Sequence, residues 1–183
     1  MTQRLYDRAG AFSSAECAAI LALAEARGGR PAPLTGYDGD MVDPAQRSAT
    51  TTLVERDSES AWLFERLDAL FAEAGAALGI PVEALGEPVQ VVRYGVGDHF
   101  QLWHSDAGHD LQERRRLSAS VELSDPADYE GGLLEIVPMR MMPAGAPGQG
   151  HATIFPSRAL HHVIPVTRGV RHALVAWTGL HAA

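Results

Sequence analysis

Cysteine is almost absent: Cys17 is the single one in 183 residues. Without a second thiol no intrachain disulfide can form, a structural zinc cluster built on thiolates is excluded, and the composition suits a reducing compartment. Long apolar runs are missing too. No stretch approaches the roughly 20 residues that span a bilayer. Asp7 interrupts the opening MTQRLYDRAGAF where a secretory signal would need an unbroken apolar core. A soluble, cytoplasmic protein without a membrane partner is the expectation. Basic residues are in deficit, 15 against 23 acidic ones, for a formal charge of −8. Non-specific nucleic-acid affinity comes mostly from basic groups that displace counterions, so a nucleic-acid partner is not expected. The one basic run, Arg114, Arg115 and Arg116, reads as a solvated loop.

What is present fits one globular domain over residues 1–183, because 46% hydrophobic content suffices for a sizeable core. The first part, about residues 1–87, reads as helical support. SSAECAAILALAEARGG opens with Ser13 and Glu16 in capping-box spacing, places Cys17, Ile20, Leu21 and Ala24 on one face, and stops at Gly28 and Gly29. RPAPLTGYDGDMVDPAQ, rich in Pro, Gly and Asp, reads as an irregular surface connection. SESAWLFERLDALFAEAGAALG returns to helical period, with Leu63, Leu67, Leu70, Phe71, Ala74 and Leu78 as a core-facing stripe that Gly79 ends.

From about residue 88 to 178 the period becomes two. VQVVRY, HFQLWH, LSASVEL, GGLLEIV, HATIF, HHVIPV and VRHALVAW are short, branched or aromatic, and divided by turn residues. SDPADYEGG reads as a hairpin connection with Pro126 and Gly131 as turn residues. Many short strands after two helices predict an α+β domain whose mostly antiparallel sheet folds into a sandwich or barrel. The longest irregular stretches cover about residues 105–116 and 137–150. The second carries Met139, Met141 and Met142 among Gly and Pro, which suits either a mobile lid or a plain surface connection.

In a strand, alternate side chains share a face, so Phe100, Leu102, His104 and Asp106 point the same way if the extended pattern runs through Asp106. His-x-Asp by itself is common. A distant second histidine, His161 or His162, changes its weight, because two histidines and one carboxylate form the facial triad of non-haem Fe(II) oxygenases. The spacing fits zinc as well as iron. Arg171 follows on the next strand-like segment, pointing either to solvent or, if inward, to an anion such as a dicarboxylate cosubstrate.

RYGVGDHFQLWHSD, RRLSASVELSDPADYEGGLLEI and IFPSRALHHVIPVTRGVRHALVAW together resemble the catalytic domain of prolyl 4-hydroxylase-like Fe(II)/2-oxoglutarate dioxygenases, especially the small bacterial PKHD-type hydroxylases. The resemblance implies a double-stranded β-helix, a jelly-roll or cupin-like barrel, behind N-terminal support helices. It implies His104, Asp106 and His161 as iron ligands and catalytic centre, and it selects His161 over His162. Arg171 matches the residue that clamps the distal carboxylate of 2-oxoglutarate, and Tyr94 a tyrosine that assists cosubstrate binding, with a core aromatic as its other reading. The implied cofactors are Fe(II), 2-oxoglutarate as cosubstrate and O2, with ascorbate as a candidate reductant.

The implied activity is hydroxylation of an unactivated C–H bond with succinate and CO2 as coproducts. Because Asp106 keeps the carboxylate ligand that related halogenases replace, hydroxylation rather than halogenation is expected. His99, His109, His151, His172 and His181 match no motif and read as surface or outlying groups. The substrate, small-molecule or peptidyl, is not encoded in any motif. A non-catalytic metal-binding or oxygen- and 2-oxoglutarate-sensing module on the same fold is the main alternative. A zinc hydrolase leaves Arg171 unexplained, and a nucleic-acid demethylase conflicts with the acidic balance.

Overall fold

The computed structural model describes residues 5–36, 39–108, 110–141 and 145–180. His109, His181 and Met142 lie outside the described residues. In chain order the elements are β1 (Tyr6–Arg8), α1 (Ser14–Arg27), β2 (Arg30–Pro31), β3 (Leu34–Gly36), β4 (Gly39–Met41), β5 (Arg47–Ser48), β6 (Thr50–Val54) and α2 (Ala61–Leu78). There follow β7 (Val89–Tyr94), β8 (His99–His104), a 3-10 turn over Asp110–Arg114, β9 (Arg115–Glu122), β10 (Tyr129–Gly131) and β11 (Leu134–Ile136). The chain ends with β12 (Ala152–Pro156), β13 (His161–Val163), β14 (Val166–Gly169) and β15 (Arg171–Gly179).

Both predicted helices form for the predicted reasons. Ser13 accepts from the Glu16 backbone N–H at 3.2 Å while the Glu16 carboxylate accepts from the Ser13 N–H at 2.7 Å, so two otherwise orphaned donors are satisfied together. At the other helix, Gly79 takes the left-handed φ of 68° that ends α2. Cys17, Ile20 and Ala24 of α1 and Leu63, Phe64, Leu67 and Phe71 of α2 are buried.

A major sheet in the order β1-β12-β9-β15-β7-β6-β2 faces a smaller one in the order β11-β13-β8-β5; two further pairs, β10-β14 and β3-β4, flank them. Among the described residues the strand pairings are antiparallel, for instance β15 with both β7 and β9. The period-two pattern assigns the faces. Val89, Val91, Leu117, Ala119, Val121, Ile154, Leu174 and Ala176 join the helices in one apolar cluster. Their strand neighbours Gln90, Val92, Tyr94, Ser120, Ala173 and Val175 line a cavity between the sheets instead. The result is a jelly-roll-like sandwich whose sheets do not close into a barrel. Among the described residues no helix is long and apolar enough to cross a membrane.

Two segments depart from the sequence reading. Residues 30–46 were expected to form an irregular connection; they contain β2, β3 and β4, and the stretch just after them supplies β5 to the minor sheet and β6 to the major one. The β-branched run Thr50–Val54, whose threonines suit a half-buried strand, stands just past that segment. SDPADYEGG is more than a turn, because Tyr129–Gly131 pairs with β14, with a register shift at Glu130 and Gly131.

Candidate metal centre and its cavity

The minor sheet brings the site together. β13 pairs with β8 so that His161 lies opposite His104 and Val163 opposite Phe100; two steps on one strand face four on the other. This bulge compresses β8, and the Phe100 ring stacks on His104 with centroids 3.8 Å apart. Phe100, Leu102, His104 and Asp106 all border the cavity, as alternation predicts, although the bulge leaves Leu102 40% exposed. Just past β8, the backbone N–H groups of Asp106 and Ala107 donate to the Ser157 carbonyl at 2.9 and 3.0 Å. Ser157 in turn accepts from Ser118 at 3.0 Å. The loop carrying Asp106 is thereby tied to the chain that leads into β13, and a local sequence pair meets a residue more than fifty positions away.

Donor atoms of His104, Asp106 and His161 lie within 4.8 Å of one another. His161 Nε2 is 3.4 Å from Asp106 Oδ2, and His104 Nε2 is 3.9 Å from Oδ1. Each imidazole is fixed from behind: His104 Nδ1 meets the Leu102 carbonyl at 2.9 Å and His161 Nδ1 the Ala159 carbonyl at 3.0 Å. Those contacts put the proton on Nδ1 and leave both Nε2 lone pairs free to converge, the arrangement metal-ligating histidines use. Asp106 Oδ2 is buried without a hydrogen-bond partner, a cost that a cation would remove. The donor set therefore fits a divalent metal.

Electrostatics agree. Burial, reinforced by His161, pushes His104 down from the ordinary 6.5 to about 4. At neutral pH it is an unprotonated ligand. Burial pushes the Asp106 carboxyl up, but His161 and His104 outweigh it and hold the group below the ordinary carboxylate range. The unfolded chain binds a proton at His104 near pH 6.5, the folded one only near 4, so folded metal-free protein loses stability as pH falls through that window. The melting temperature of metal-free protein is expected to drop between those two pH values, and His104→Gln should flatten part of the slope in a pH series of thermal melts.

His162 lies on the other face of β13. Its Nε2 meets Glu135 at 2.7 Å and its ring stacks on Trp103 at 3.8 Å. His99, His151 and His172 also lie outside the donor cluster; His151, for example, contacts Asp7 at 2.9 Å.

Arg171 points inward. It opens β15 opposite Tyr94 of β7, is 3% exposed, and its guanidinium carbon sits 5.6 Å from the Tyr94 ring centre. Gly132, at φ 62°, leaves room for it, since a Cβ there would come 2.8 Å from Val166 and 3.1 Å from Arg171 Cδ. The arginine is not bare: Nε donates to Glu122 at 2.9 Å. Burial opposes its charge, but Glu122 outweighs burial and holds the pKa above the ordinary arginine value. Tyr94 is buried among Val92, Val163 and Val166 and borders the cavity.

The cavity holds about 220 Å³ and contains further polar groups that the motifs did not announce. Arg115, expected in a solvated loop, is only partly exposed because it donates to Glu87 at 2.9 Å and lies 4.0 Å over the Trp177 ring. Arg47, just past the segment read as a connection, enters from the minor-sheet edge opposite Phe100. Glu122 was visible in principle: alternation in LSASVEL puts it on the inner face with Ser118 and Ser120, where a carboxylate needs a cation.

A family model described as the 2OG-Fe(II) oxygenase superfamily matches residues 89–179. Similar curated proteins include a PKHD-type hydroxylase of Sphingopyxis alaskensis, 42% identical over 99 residues, or 50% of this chain and 42% of that protein. Another, from Methylobacillus flagellatus, is 41% identical over 70 residues, 38% of this chain and 31% of the relative. Each match thus covers less than half of the relative's length. Among solved structures, a Pseudomonas putida prolyl-4-hydroxylase superposes with a TM-score of 0.76 at 19% identity, covering 99% of this chain and 95% of the other. A Trichoplax adhaerens prolyl hydroxylase in complex with a hypoxia inducible factor peptide fragment gives 0.75 at 17% identity, covering 96% and 83%. At such identities these structures speak for the fold.

Proposed function

The chain belongs to the 2OG-Fe(II) oxygenase superfamily, and from that premise we propose that it is an Fe(II)- and 2-oxoglutarate-dependent dioxygenase hydroxylating an unactivated C–H bond. The observation that carries the reading is the convergence of His104, Asp106 and His161 around the orphaned Asp106 oxygen. The donor spacing suits iron and zinc alike; membership in the superfamily selects iron. His104, Asp106 and His161 hold it, and once bound it supplies activation of dioxygen coupled to the oxidative decarboxylation of 2-oxoglutarate to succinate and CO2.

The residues of this chain do the rest. The Leu102 and Ala159 carbonyls orient the two imidazoles, so that neither ring must reorganise when the ion arrives. Arg171 offers the distal carboxylate of the cosubstrate a buried guanidinium, with Tyr94 beside it. Val92, Val163 and Phe155 exclude water from the neighbourhood of the triad. A small molecule or peptidyl segment reaches the triad through the cavity, and ascorbate serves as external reductant. The buried free thiol of Cys17 accords with a cytoplasmic location.

Anaerobic Fe(II) titration with and without 2-oxoglutarate, followed by exposure to oxygen, tests this reading. The expected result is a visible charge-transfer band on adding 2-oxoglutarate and succinate release on adding oxygen. Iron binding with neither signal would instead identify a sensor or storage module.

A further inference from the structure

The protein contains no lysine, so its 15 strongly basic side chains are all arginines. Three of them, Arg47, Arg115 and Arg171, line the cavity that contains the triad. Two already have a carboxylate: Arg115 donates to Glu87 and Arg171 to Glu122, each at 2.9 Å. Arg47 has none. Among the described residues it makes no ion pair; Nη1 donates to the Pro33 carbonyl at 2.7 Å, Nη2 makes a long 3.5 Å contact with Gln90, and Nε is buried without a partner. Its guanidinium lies 4.6 Å from the centre of the Phe100 ring, the ring that also stacks on His104. Burial pushes its pKa below the ordinary arginine value, yet a guanidinium remains charged at any working pH.

Charge balance gives that isolation a direction. The pairs Arg115 with Glu87 and Arg171 with Glu122 are each neutral. Arg171 is also the group assigned to meet the distal carboxylate of 2-oxoglutarate. A carboxylate brought in by another molecule then has one cavity-lining arginine without a carboxylate partner to meet, Arg47.

We propose that Arg47 is the carboxylate receptor of this cavity, taking an organic acid through a charge-assisted fork. The inference rests on the oxygenase reading and deepens it by naming the chemistry of a ligand. The carboxylate is that of the molecule to be hydroxylated, since Arg171 is the group assigned to the distal end of 2-oxoglutarate. The apolar flank of Phe100 and Leu34 suits the hydrocarbon part of such an acid.

The test uses wild-type, Arg47→Met and Arg47→Lys proteins loaded with Mn(II) under argon, so that binding is read by calorimetry without turnover. One arm titrates 2-oxoglutarate. The other titrates hexanoate, with hexanol as the uncharged control, into protein saturated with 2-oxoglutarate. Arg47→Met should weaken hexanoate binding by about 10-fold or more, as expected for losing a charge-assisted hydrogen bond, and Arg47→Lys should lose part of that, with 2-oxoglutarate affinity unchanged in both. An equal loss in the first arm counts against a substrate receptor.

Equal hexanoate affinities for all three proteins, or hexanoate bound by wild-type protein no more tightly than hexanol, overturns the proposal. The oxygenase reading is judged separately, by whether wild-type protein binds 2-oxoglutarate only when metal is present. Ligand-free Arg47→Met should melt no lower than wild type, because it removes a poorly partnered buried cation and keeps an apolar stem over Phe100. A marked fall in melting temperature for both variants would mark Arg47 as structural and count against a receptor role.

Discussion

Replacing Asp106 by alanine is expected to lower iron-dependent succinate formation by more than about 10²-fold, since losing even an outer partner of a metal ligand commonly costs 10–100-fold. The same holds for His161→Ala. Asp106 is the one anion in the donor set, so its removal takes away both a ligand and the charge that balances the ion. The two variants should nevertheless differ in stability. Asp106 Oδ2 is a buried acceptor without a partner, so truncating the side chain relieves a desolvation cost as it opens a small void. His161 packs edge-on against Phe155 with centroids 4.9 Å apart, and its loss leaves a cavity beside that ring. Metal-free Asp106→Ala should thus melt closer to wild type than metal-free His161→Ala. Equilibrium dialysis with Fe(II) under argon and thermal melts on the same samples separate the two effects. Retention of stoichiometric, tight iron by either variant would refute the assignment of that residue as a ligand.

How much of this was legible beforehand depends on how far apart in the chain each cause lies. The helix ends were legible because a capping box and a left-handed glycine act within four residues. The inner and outer faces of β7, β9 and β15 followed from alternation alone, since one face meets the helices and the other the cavity. The bulge between Phe100 and His104 was not legible: it arises from pairing with β13, and nothing within HFQLWH announces it. Arg47 was missed for a similar reason. Its neighbours Pro44 and Ser48 suggest a turn, and only the pairing of β5 with β8 turns the side chain into the cavity. Arg171 was expected to be either solvated or waiting for an anion; the structure gives it an internal carboxylate from a strand whose facing could be read but whose register could not.

That internal carboxylate sets the second large effect. Arg171 and Glu122 are both about 4% exposed at the side chain, and removing one partner of such a pair leaves a buried charge that typically costs about 3–5 kcal/mol. Arg171→Met is therefore expected to be strongly destabilised for a reason unrelated to any cosubstrate. A loss of 2-oxoglutarate binding in that variant alone would be ambiguous. The double variant Arg171→Met with Glu122→Gln removes both charges, and it should recover most of the melting temperature. If Arg171 anchors the distal carboxylate, the double variant still requires at least about 10-fold more 2-oxoglutarate, because the charge-assisted bonds remain absent. Glu122→Gln alone keeps an oxygen acceptor for the Arg171 Nε and removes the competing anion, so it should bind 2-oxoglutarate at least as tightly as wild type. The same cycle read on 2-oxobutyrate, which has no distal carboxylate, should show none of these changes in affinity. Equal 2-oxoglutarate affinity in wild type and the double variant would leave Arg171 with a structural role only, paired to Glu122 to hold β15 against β9.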